Sequence, residues 1–295
     1  MILDKRIPLS YWFKIIRFDM FIMGLFSSFV FILSLYLKQL TIPFSIVAFL
    51  GTAISLLLSF KLSQSYDRWW EARKIWGSIA NDSRSFVIQL KNFTNGADPE
   101  LVKRMGFRQM GWCYVLGNDL RELDSLEVAK EFVSTEELKV LKTSQNRALT
   151  LLDFHNRDLL ELHKSGSIND YQQIQIDNTI VRLCASMGKS ERIKNTCFPK
   201  TYRMTLHLFV YIFLISLSLS LTDLHIFVEI PLLMAISLPF FLLEKIAITI
   251  QDPFENRPTD TPITSIARTI EINLKQLLGE KEIPEKLISD TYYIL

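Results

Sequence analysis

From Phe44 to Thr94 the chain contains no proline, and its only glycines there are Gly51 and Gly77. Pro43 stands just ahead, where a fixed φ suits a helix start, and the strong breaker that follows is the pair Asn95–Gly96. The pattern predicts one continuous helix. At 1.5 Å per residue, about 50 residues reach roughly 75 Å. Its first part, "FLGTAISLLLSFKL" (49–62), suits lipid. It passes without a turn into "SYDRWWEARKIWG" (65–77), with arginines, carboxylates and three tryptophans. Only about 30 Å can lie in hydrocarbon. The remainder must enter water and pack its polar end against partners.

Three further stretches have spanning length. With 43–62 they are 20–37, 204–221 and 226–243. Each is near the short end of what a bilayer requires. Short connections pair them into two hairpins. The hairpin loops hold Lys38 against Asp223 and Glu229, whereas the other flanks are rich in Lys and Arg. The positive-inside rule then predicts both termini, and the middle of the chain, on the cytoplasmic side of the membrane. "MILDKRIPLSYWFKIIRFD" lacks the pattern of a signal peptide.

Composition agrees with a protein shared between bilayer and water. Apolar residues make up 49% and charged residues 22% of 295, with a net charge of +2. So small a charge gives no field for nucleic acid. Three scattered cysteines form neither a disulfide framework nor a metal knuckle. The polar middle predicts helices over 100–123, 135–164 and 168–188, with Ser134 and Glu137 as a capping box. Past the last span, Thr261 is expected to cap a helix with Pro262 in its first turn, ending near Gly279. His155 and His163, eight apart, lack zinc-type spacing and are expected at the surface. Glu244 and Lys245 are expected at the cytosolic interface rather than buried. Asp119, Glu122 and Asp124 form an acidic group at a helix end.

In the junction stretch Trp69, Arg73 and Trp76 share one face, and Arg68, Glu71 and Lys74 are spaced for i,i+3 pairs. Rings beside forked cations suit either a desolvated helix junction or an interfacial aromatic belt. Along the second span, Ala48, Thr52, Ser55, Ser59 and Ser63 form a small, hydroxyl-rich stripe. By composition alone that stripe reads as a pore face or a packing seam, with Leu56 and Phe60 toward lipid or core.

"SYDRWWEARKIWGSIANDSR" resembles the signature of the bestrophin family, in its bacterial branch. "FKIIRFDMF", "ERIKNTCFPKTY" and "FLLEKIAITIQDPFE" agree, so the likeness runs over about residues 5–280. It implies an all-α membrane protein with four transmembrane helices per protomer and a helical cytosolic domain, assembled as a homopentamer around one central pore. The segments would be an N-terminal cytosolic or interfacial segment (1–19) and a first hairpin (20–62) whose second helix continues to about 94. A cytosolic helical domain (95–203), a second hairpin (204–250) and a C-terminal segment (251–295) follow.

The resemblance implies that Thr52, Leu56 and Phe60 form the apolar pore neck. Thr52 departs from the large aliphatic residue usual there. It places a cytosolic aperture near Tyr171, with Ile168 and Ile174. It makes Arg68, Trp69, Trp70, Glu71, Arg73 and Trp76 a structural junction. Transport would be passive, without catalytic residues, cofactor or bound metal. Permeant ions would be monovalent cations such as sodium, with chloride as the alternative. A secondary transporter is the rival, although four spans without repeats are few for a carrier. The calcium clasp of animal relatives is replaced by "DPFENRPTD", where Asn256 and Arg257 stand in acidic positions. Calcium gating through this segment is therefore not expected.

Overall fold

The structure is a computed structural model that describes residues 9–36, 42–196, 199–221, 225–289 and 291–294. It is all-helical, with ten α-helices among the described residues: α1 (Leu9–Tyr36), α2 (Phe44–Thr94), α3 (Pro99–Leu120), α4 (Leu126–Ala129), α5 (Thr135–Thr143), α6 (Arg147–Lys164), α7 (Asp170–Asn195), α8 (Lys200–Ser220), α9 (Ile226–Gln251) and α10 (Ile263–Leu278). α2 is unbroken over 51 residues, as its lack of breakers predicts. It stops where Asn95 and Gly96 adopt φ of 49° and 81°.

The helices form two compact units. One contains α1, α2 as far as Arg68, α8 and α9. In α2, Val47, Ile54 and Leu58 fall at steps of seven and four residues and make one buried stripe. They pack with Leu206, Val210, Phe213, Leu214 and Leu217 of α8 and Leu233 of α9. Gly51 admits the Phe213 ring, which would stand 3.2 Å from a Cβ there. The Tyr202 hydroxyl donates to the Leu57 carbonyl at 2.9 Å. Among the described residues α2, α8 and α9 are long and apolar enough to cross a membrane; the apolar stretch Met20–Leu33 of α1 is shorter. Pro231 and Pro239 lie within α9.

The other unit runs over Trp69–Thr196 and onward from Pro253. Its core gathers Trp76, Ile79, Phe86 and Leu90 of α2 against α3, α6, α7 and α10. Helix starts obey local chemistry. Asp98 caps α3 by accepting from Leu101 N, with Pro99 in the first turn. Ser134 and Glu137 form the expected capping box on α5, and Asn169 with Gln172 form another on α7.

Four sequence expectations are corrected. The helix foreseen over 135–164 is two, because Asn146 caps α6 by accepting from Leu149 N and so ends the run after α5. The helix foreseen over 100–123 ends at Leu120, ahead of Glu122 at φ 58°. The helix foreseen over 168–188 is α7, which starts at Asp170 and runs on to Asn195. Thr261 does not cap α10. Its carbonyl accepts from Ile263 N at 2.8 Å, while its buried hydroxyl has no hydrogen-bond partner. α10 does end at Gly279, in the left-handed region at φ 76°.

Candidate functional site

The buried stripe of α2 continues through Lys61 and Ser65. The face opposite is fixed by arithmetic. Leu56 is nine residues past Val47, a net rotation of about 180° at about 100° per residue, and Thr52 and Phe60 flank it by about 40°. Leu56 is 72% and Phe60 57% exposed, and Thr52 is exposed as well. The small-residue stripe, from Ala48 to Ser63, is exposed beside them. Its hydroxyls turn inward to their own helix: Thr52 donates to Ala48 O at 2.9 Å and Ser55 to Gly51 O at 2.8 Å. Seven residues past Phe60 the same face presents the exposed carboxylate Asp67.

At the family-like signature, Arg68 Nε donates to the Gln251 carbonyl at 2.9 Å. Trp69 Nε1 donates to the Thr259 carbonyl at 2.9 Å, and its ring stacks near that of Trp70. Glu71 reaches Arg192 of α7 at 2.7 Å. Trp76 is fully buried in the core, Arg73 is half-buried and Trp70 is exposed. On α7 Tyr171 and Ile174 are exposed. Ile168 is not. The turn after α6 folds back so that Ile168 N bonds Leu162 O, and the side chain sits in the core at 4% exposure.

The turn after α9 engages its own charges. Arg257 pairs with Glu255, and the Arg257 amide donates to Asp260 at 2.9 Å. Among the described residues no group of three His, Cys, Asp or Glu is placed to hold a metal.

Three expectations about charge are overturned. Glu244 is buried, because α9 continues to Gln251 and turns this carboxylate toward α2 and α8. Its Oε1 takes Lys61 Nζ at 3.2 Å, its Oε2 takes His207 Nε2 at 2.5 Å, and Arg203 Nε approaches to 4.0 Å. Single charges inside two apolar runs were the available signal, since an isolated ion in such helices needs a partner. Glu229 is also buried, in the first turn of α9, where it accepts from the Ser218 hydroxyl. Lys38 and Asp223, the other charges expected in the outer loops, lie outside the described residues. His155 is buried too, with its ring edge-on to Phe86 at 4.7 Å. His163 pairs with Asp170 at 2.7 Å. The acidic group at the end of α3 is partly engaged: Glu122 reaches Lys194, Asp124 reaches Arg147, and burial raises the Asp119 carboxyl above its ordinary value.

Apolar helices of spanning length, with Lys61, Glu229 and Glu244 buried and hydrogen-bonded among them, define a polytopic helical membrane protein. The sequence profile described as Bacterial/Fungal Bestrophin protein matches residues 12–276, and the chain belongs to the bestrophin family of ion channels. It is 32% identical over 254 residues to the voltage-dependent anion channel-forming protein YneE of Escherichia coli K12, covering 86% of this chain and 82% of that one. A Salmonella typhi protein of the same name is 30% identical over an equal length, again covering 86% of this chain and 82% of that one. A crystal structure of a bacterial bestrophin homologue from Klebsiella pneumoniae matches with a TM-score of 0.83 at 26% identity. It covers 90% of this chain and all of that one.

Proposed function

We propose that five copies of this chain surround one pore through which monovalent cations such as sodium pass down their gradient. The observation that carries this reading is the uninterrupted α2, with a face left exposed along its length. Copies of the chain beside it would cover this face, which otherwise meets lipid at one end and water at the other. In the assembly Thr52, Leu56 and Phe60 form the neck, where rings of phenylalanine hold up ions by excluding water. The small, self-satisfied stripe seats against the neighbouring α2. Tyr171 and Ile174 border the cytosolic aperture, and Ile168 supports them from beneath. Arg68, Trp69, Trp70, Glu71, Arg73 and Trp76 brace the point where α2 leaves the bilayer. Four helices per protomer cross the inner membrane, with α1 as the first span and both termini in the cytoplasm. On this reading the segments have the boundaries expected from the sequence, and no cofactor takes part.

Cation preference is supported by Asp67, the first charge below Phe60 on the exposed face, repeated five times around an axis. Glu229, buried against the Ser218 hydroxyl, is not placed to draw cations from solution. The names of the Escherichia and Salmonella relatives favour a second reading, anion conduction by the same pore. Unitary currents of the purified protein in a planar bilayer under asymmetric NaCl separate the two. The cation reading requires reversal near the sodium equilibrium potential; reversal near the chloride potential installs the alternative. Absence of unitary currents, with uptake driven by a proton gradient, would replace the channel by a carrier. Calcium titration is expected to leave the currents unchanged, because Arg257 already engages Glu255.

A further inference from the structure

Between the end of α3, α4 and the first half of α10 lies a cavity of about 270 Å³. Val128, Phe132, Ile263 and Ala267 line its apolar side. Arg121, Glu131 and Arg268 line its polar side. Arg121 is tethered at one point, where Nη1 donates to the Thr264 hydroxyl at 2.6 Å. Nε and Nη2, which share the other edge of the guanidinium, are buried and have no hydrogen-bond partner. Burial lowers the pKa of this group, against the pull of the Asp260 carboxylate. Donors that are desolvated and left unpaired are costly, so this edge calls for an acceptor. The two acids of the lining differ. Glu271 is spent, since Oε2 accepts from the Tyr114 hydroxyl at 2.8 Å and Oε1 takes Lys275 Nζ at 2.9 Å. Arg268 Nε donates to the same tyrosine oxygen at 3.1 Å. Glu131 is exposed and makes no hydrogen bond or ion pair among the described residues, although Arg268 feels its charge.

We propose that this cavity binds a free amino acid with an aliphatic side chain, its carboxylate on Arg121 and its ammonium on Glu131. The edge formed by Nε and Nη2 matches the two oxygens of a carboxylate in parallel hydrogen bonds. In turning that edge to the ligand, the guanidinium gives up at most its bond to Thr264. Glu131, open to solvent, lets the ligand enter beside it and accepts from the ammonium. The side chain of the ligand rests on Val128, Phe132, Ile263 and Ala267. A cation and an acid that are both unspent select a zwitterion. A simple carboxylate gives Glu131 nothing to hold, and phosphate meets the like charges of Glu131 and Glu271. The volume of about 270 Å³ lies just under the range of drug-sized sites, which starts at about 300 Å³, and so suits a small metabolite.

The test uses the full chain solubilised in detergent, with L-leucine as the probe and binding read by isothermal titration calorimetry. The wild-type protein is expected to bind leucine saturably. Isocaproate, which is leucine without its ammonium, and glycine, which lacks the side chain, should each bind about tenfold more weakly or worse. R121Q should weaken leucine binding by about tenfold or more. E131Q should do the same and bring leucine and isocaproate to similar affinities. Absence of leucine binding by the wild type overturns the proposal, as does isocaproate binding that matches leucine. Undiminished leucine binding in E131Q overturns it too. Should R121Q fail to fold, the exposed substitution E131Q and the ligand series on the wild type decide. Binding is read independently of any ion current, so its failure would leave the channel reading untouched.

Discussion

His155 is fully buried beside Phe86, and neither ring nitrogen has a hydrogen-bond partner in the structure. Burial, reinforced by the Arg108 guanidinium, holds its pKa well below the ordinary histidine value. The folded protein therefore keeps this ring neutral where the unfolded chain binds a proton. Stability on its account is constant above about pH 6.5 and falls as pH drops below that value, by up to about 1.4 kcal/mol per pH unit. His155→Leu should remove that slope and raise the Tm, because two unpaired polar atoms leave an apolar site. Thermal unfolding in detergent at pH 8 and pH 5 checks it; an unchanged difference between the two pH values would refute the assignment. The signal was present in the sequence. Ala148, Leu151, Leu152, Leu159 and Leu162 define the buried face of α6, and His155 falls on it. Reading the histidines for metal spacing rather than helical register put this one at the surface. Glu244 was misplaced for a related reason: the apolar run resumes after Glu244 and Lys245 as "IAITI" within α9, so the first charges did not mark the end of the helix.

Elements were more legible than individual side chains. The start and end of α2, both capping features of α5 and the glycine stop of α10 follow from breakers and caps a few residues long. The split between α5 and α6 was missed because "TSQN" contains neither glycine nor proline. Packing between elements was not legible at all. α3 approaches α10 closely through glycines eleven residues apart, Gly106 against Leu278 and Gly117 against Ile263. A Cβ on Gly117 would stand 2.5 Å from Ile263 Cγ2. Gly117→Ala should destabilise the protein by about 1–3 kcal/mol despite its better helix propensity. Ile263→Ala removes the clashing methyl, so the double variant should be less destabilised than the sum of the singles. Denaturant unfolding of the four proteins supplies the cycle. Strict additivity would mean that the two helices do not meet there.

At the scale of the whole molecule, the sequence alone left the pore face ambiguous, and a single protomer leaves both stripes of α2 exposed. The physical difference between them is what each can do when copies assemble. Thr52 and Ser55 spend their hydroxyls on their own helix, so that stripe can be dehydrated against a neighbour at little cost. Leu56 and Phe60 have no such option and must meet either lipid or an axis. If they meet an axis, five phenylalanine rings narrow it and repel water, and Phe60→Ala should raise unitary conductance severalfold. Leu56→Ala should act in the same direction, while Ile46→Ala, an exposed change on a neighbouring face, should leave conductance near wild type. Mass measurement of the solubilised assembly should give five chains for all three variants, so that a conductance change is not a change in subunit number. Were Phe60→Ala to conduct like the wild type, the ring would be facing lipid. The small stripe from Ala48 to Ser63 would then be the pore wall, its serines freed from the helix to solvate the passing ion.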